Sequence, residues 1–141
     1  MEDLDLLYNP KFVDTDGLIV PEWELDNLKA NSNSLANREP EDNELFLSVT
    51  AVLDWFENNA ELEEEPWYDS EASDFLKAWE IAKELVELWG NKLQYQFPTY
   101  SFYVAANRLD QPKVRFYRIR SHEVTPELSN KDSFSMVFSG S

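Results

Sequence analysis

Apolar and polar positions follow two different periods along this chain, and the change falls near Gly90. Upstream the period is helical. From about Pro40 to Asn59, Leu45, Val49, Val52, Leu53 and Phe56 share one stripe with Phe46 at its margin, while Leu47, Ala51 and Trp55 recur at helical spacing on another side. The pattern predicts a helix apolar around most of its circumference, which either fills the centre of the core or presents Trp55 to a partner. A second helix is predicted from Ser70, a good N-cap residue, to Trp89, with Gly90 as its C-terminal stop. Phe75, Trp79, Ala82, Val86 and Trp89 form its apolar face, widened by Ala78, Ile81 and Leu85. The opposite face carries Lys77, Glu80, Lys83, Glu84 and Glu87, with Glu80/Lys83 and Lys83/Glu87 spaced to pair.

Downstream the period is two. Lys92–Phe97 alternates, Tyr100–Ala105 is aromatic and β-branched, Asn107–Pro112 reads as a turn, and Val114–Ile119 and Ser133–Phe138 read as further strands. Before the first long helix, Asn9-Pro10 and Asp16-Gly17 break up apolar clusters and predict a short hairpin or irregular lead-in. Pro21 with Trp23, Leu25 and Leu28 then predicts a short helix. Together these elements predict one α+β domain over residues 1–141, with a mainly helical part to residue 90 and a β-rich part from 91. Two main amphipathic helices would pack on a three- to four-stranded antiparallel sheet built from the C-terminal third.

Composition narrows the chemistry. There is no Cys and the only His is His122, which removes thiolate nucleophiles, zinc-thiolate sites and multi-histidine sites within one chain. No apolar run is long enough to span a bilayer, and the acidic start Met-Glu-Asp-Leu-Asp is unlike a signal peptide, so a cytoplasmic protein of a bacterial host cell, phage-encoded or not, is expected. Asp14, Asp16, Gly17 and Ile19 resemble the middle of a calcium loop. Its first and twelfth ligands would be Phe12 and Trp23, however, and an Asp-Gly turn between short strands is the better reading. Among 28 Asp and Glu residues some pair always falls at a catalytic spacing, so spacing alone identifies no acid–base pair. No metal, no cofactor and no enzymatic activity are expected.

Charge gives the sharpest signal. The net charge is −16, divided between residues 1–90, with 24 acidic and 5 basic residues, and residues 91–141, with 4 acidic and 7 basic. Between Arg38 and Lys77 stand thirteen carboxylates and no Lys or Arg. The densest stretch, 61–71, reads ELEEEPWYDSE and sets Trp67 and Tyr68 among its acids. Such a field repels nucleic acid and anionic membranes and attracts basic proteins, with aromatic residues as anchors and charges as steering groups. Glu57, Glu61, Glu63, Glu64, Glu65, Trp67, Tyr68, Asp69 and Glu71 are therefore the candidate partner-binding residues. Lys113, Arg115, Arg118 and Arg120 interleave with aromatic residues as in nucleic-acid-binding strands, but in so acidic a molecule their expected use is internal charge balance rather than direct nucleic-acid binding.

Trp67-Tyr68-Asp69-Ser70-Glu71 opening a helix, followed by the aromatic stretches Gln94–Phe97 and Phe102–Val104, resembles the later part of the cyanobacterial inhibitor of a sugar-non-specific nuclease. The resemblance covers residues 67–104 and implies a nuclease-inhibiting role. The expected function is thus a non-enzymatic acidic inhibitor, a nucleic-acid mimic or anti-defence protein, that binds a basic nuclease, restriction enzyme or CRISPR effector. The alternative is a structural or adaptor subunit of a virion or other assembly. Self-association stays open.

Overall fold

The computed structural model describes residues 7–15, 17–31, 33, 36, 39–52, 73–108, 111–119 and 132–139. The chain opens with a hairpin, β1 (Phe12–Thr15) and β2 (Leu18–Pro21), paired antiparallel with Asp14 opposite Ile19. Gly17 turns the chain at a φ of 91°, a left-handed conformation open to glycine, and its N–H is held by the Asp14 carboxylate at 2.9 Å. A single 3-10 turn (Glu22–Glu24) leads into α1 (Leu25–Ala30), and α2 (Pro40–Ser48) follows.

Helix α2 is much shorter than the predicted Pro40–Asn59. At Val49 the backbone leaves the helical region (φ −60°, ψ 128°), and Thr50–Ala51 become the short strand β3, paired antiparallel with Val114 and Lys113. Val49 and Thr50 are β-branched and lose little by becoming extended. Residues 53–59, where the predicted helix would have continued, lie outside the described residues, as does the Ser70 cap.

Helix α3 (Ser73–Gln96) runs straight past Gly90, and Lys92–Gln96 of the predicted strand Lys92–Phe97 supplies its end. Two terms decide this. A mid-helix glycine costs about 1 kcal/mol relative to alanine, whereas burying a leucine is worth about 1.5–3 kcal/mol. Leu93 is fully buried and continues the stripe of Phe75, Trp79, Ala82, Val86 and Trp89. Gly90 serves close approach rather than termination, for a Cβ there would collide with the Phe138 ring. Tyr95, part of the misleading alternation, is 87% exposed.

The main sheet has the order β3-β5-β4-β6, with β4 (Ser101–Asn107), β5 (Lys113–Ile119) and β6 (Ser133–Phe138), all neighbours antiparallel. Its fourth strand, β3, comes from the acidic half of the chain rather than from the C-terminal third. Phe102, Val104, Ala106, Val114 and Phe116 project from the inner face into one core with α3. Phe12 of the hairpin joins the two layers, edge-on to Trp89 at 5.7 Å and to Phe116 at 5.2 Å. The buried Trp89 indole donates to the Leu7 carbonyl at 2.8 Å and anchors the N-terminal segment on the helix. A smaller cluster of Val20, Leu28 and Leu47 joins hairpin, α1 and α2. No helix among the described residues is long and apolar enough to cross a membrane.

Candidate functional site

Helix α2 begins with Pro40 at a position where a missing N–H costs nothing, and then buries the wrong residues for an ordinary amphipathic helix. Asn43, Glu44, Leu47 and Ser48 are buried, whereas Phe46 is 47% and Val49 42% exposed. The expected assignment of Leu45 and Val49 to a core stripe is corrected accordingly: the buried face is mostly polar and the outer face apolar.

The cause is the edge of β5. Strand β3 is only two residues long and pairs with β5 no further than Val114, so the backbone groups of Phe116 and Arg118 on that edge need other partners. Ser48 Oγ donates to the Phe116 carbonyl at 3.0 Å and accepts the Phe116 N–H at 2.9 Å, while Glu44 Oε1 accepts the Arg118 N–H at 2.9 Å. Side chains four apart on a helix stand about 5–6 Å apart at Cβ, and alternate strand residues about 6.6–6.8 Å, so the two rows match. The other Glu44 oxygen accepts the Ile19 N–H of β2 at 2.7 Å, so one buried carboxylate joins the hairpin to the main sheet. Helix α2 therefore lies along the sheet edge instead of on its face, which departs from the predicted packing.

With its polar face turned inward, α2 turns Asp42, Leu45, Phe46 and Val49 outward, and these line an open concavity of about 300 Å³ with Arg115 of β5. Arg115 alternates with Val114 and Phe116 and so belongs to the outer sheet face. It is half-buried, and its Nε, shielded from water, has no hydrogen-bond partner among the described residues. Asp42 on α2 and Glu39, the extended residue just before it, are exposed.

The pleat also separates the β5 cations. Lys113 and Arg115 lie on the outer face, whereas Arg118 lies on the inner side with its guanidinium 3.6 Å from the Tyr100 ring centroid. Arg120 lies outside the described residues. On α3, Lys83 pairs with Glu80 at 3.0 Å, as the spacing predicts, and Glu84 accepts the Tyr8 hydroxyl at 3.1 Å. Burial, together with the hydrogen bond and negative charge of Glu84, raises the Tyr8 pKa above its ordinary value.

Asp14 holds the Gly17 N–H, and Asp16 lies outside the described residues; among the described residues no group of three or more His, Asp or Glu is placed to hold a metal. The expected interface of Glu57, Glu61, Glu63, Glu64, Glu65, Trp67, Tyr68, Asp69 and Glu71 lies outside the described residues. The concavity of Asp42, Leu45, Phe46, Val49 and Arg115 was not anticipated from the sequence. Its one sequence signal is the pair Glu44 and Ser48, two polar residues at helical spacing amid apolar neighbours. One of the two strands carrying the resemblance to the nuclease inhibitor, Gln94–Phe97, is helical through Gln96. Comparison of the chain with family models, with curated proteins and with solved structures returned no match.

Proposed function

We propose that this protein is a non-enzymatic acidic inhibitor that binds a basic nucleic-acid-handling protein, occupying the surface on which that protein takes DNA or RNA. The observation that carries the reading is the run of thirteen carboxylates between Arg38 and Lys77 without one Lys or Arg. Duplex DNA offers a phosphate about every 3.4 Å along each strand, and helix-borne carboxylates about 5–6 Å apart approach that density. Exposure of Glu39, which caps α2, and of Asp42 on it supports the reading, whereas Glu44 of the same run is buried inside the fold and offers no charge to a partner.

The test is competition. A basic nuclease captured from the native host should bind the protein at low ionic strength, release it steeply as salt rises, and lose its cleavage of DNA in proportion to the bound fraction. Replacing Glu63, Glu64 and Glu65 together by Gln should slow association and flatten its salt dependence. A complex indifferent to salt and formed equally well on DNA-loaded partner would instead favour a structural or adaptor subunit.

A further inference from the structure

We infer that the concavity between α2 and β5 is where the basic partner seats an apolar side chain flanked by a lysine or arginine, with the cation paired to Asp42. The inference rests on the proposed function and adds to it the position and chemistry of an anchor. Large apolar side chains are exposed on this helix because Glu44 and Ser48 take the inward positions to close the edge of β5. A contiguous exposed apolar pair in so acidic a chain, where solubility would favour polar residues, points to a contact.

Size and charge choose the occupant. At about 300 Å³ the hollow is at the small end of binding pockets, suited to a side chain rather than a cofactor. Asp42 in its lining favours a cation beside the anchor, while Arg115, from the strand side, discourages a cation there. A second copy of the chain is a poor occupant, since it would bring another −16 of charge.

The experiment uses the full chain, labelled for amide NMR, titrated at low salt with a lysine–leucine peptide, an oligolysine of equal charge and a glutamate–leucine peptide. The lysine–leucine peptide should shift the amides of Phe46, Val49 and Arg115 and bind about tenfold tighter than oligolysine. Phe46→Ser, checked for an unchanged amide spectrum away from α2, should abolish that advantage while oligolysine binding persists. Equal binding of both basic peptides without shifts at α2, or an advantage that survives Phe46→Ser, overturns the inference and leaves the acidic-inhibitor reading standing. Binding of the glutamate–leucine peptide in the hollow overturns the inferred charge preference. Failure of both basic peptides to bind removes both readings.

Discussion

The Ser48 hydroxyl holds both backbone groups of Phe116, donating to the carbonyl at 3.0 Å and accepting the N–H at 2.9 Å, so that a helix side chain stands where a neighbouring strand would. Glu44 repeats the arrangement one turn earlier at the Arg118 N–H, and it reaches Ile19 as well. Both side chains are fully buried, and the bonds to Phe116 and Ile19 are buried while that to Arg118 is partly so; each interaction removed leaves an unpaired backbone group with little access to water.

Ser48→Ala should therefore destabilise the protein by about 1–3 kcal/mol for each Phe116 group left unpaired. Glu44→Gln keeps the shape but must turn its NH₂ toward one of two N–H donors, at a similar cost of about 1–3 kcal/mol. Urea denaturation at constant m-value measures the loss. Hydrogen exchange should locate it, with faster exchange at Phe116 for the first variant and at Ile19 or Arg118 for the second.

Gly90→Ala should go against helix propensity. In an open helix interior the change would stabilise by about 1 kcal/mol. Here the new Cβ meets the Phe138 ring, and overpacking of this kind costs about 1–3 kcal/mol. Adding Phe138→Leu to Gly90→Ala should recover part of the loss. If Gly90→Ala alone raises the melting temperature, the packing of β6 on α3 is misplaced.

Arg118→Ala should act on stability rather than on nucleic-acid binding. The lost stacking on Tyr100 is worth about 0.5–2 kcal/mol, and Arg118→Lys should restore only part of it, because an ammonium does not lie flat on a ring. Gel shifts with DNA and RNA should be blank for wild type and variant alike near physiological salt. Binding by wild type that Arg118→Ala removes would mean that this cation serves nucleic acid.

Alkaline pH should weaken the attachment of the N-terminal segment. The Tyr8 pKa in the folded protein lies above the ordinary 10.0, so the folded state holds this proton more tightly than the unfolded chain. The resulting stability is fully present below pH 10 and is lost as pH rises through the folded-state value. Denaturation midpoints across this range should fall less steeply for Tyr8→Phe than for wild type.

Local sequence sufficed for the hairpin at Gly17, for strands β4, β5 and β6, and for the α3 face from Phe75 to Trp89. The α3 stripe and the start of β5 each show one residue period with one buried side, whereas β4, buried on both faces, and β6, with no fully buried residue, are marked by their aromatic-rich composition. The excess of carboxylates, and the partner chemistry it suggests, is likewise a property of composition. Tertiary structure decided the rest. Whether Gly90 ends a helix or admits a ring depends on Phe138, 48 positions away in sequence, and Leu93 joins the helix only because a sheet is there to bury it. The orientation of α2 depended on an unfilled strand edge. Apolar counting placed Leu45 and Val49 inside, but the unsatisfied backbone groups of Phe116 and Arg118 drew in Ser48 and Glu44 instead. Hydrophobic burial has no direction and is legible in local pattern, whereas hydrogen-bond demand is directional and arises only once strands from distant parts of the chain have met.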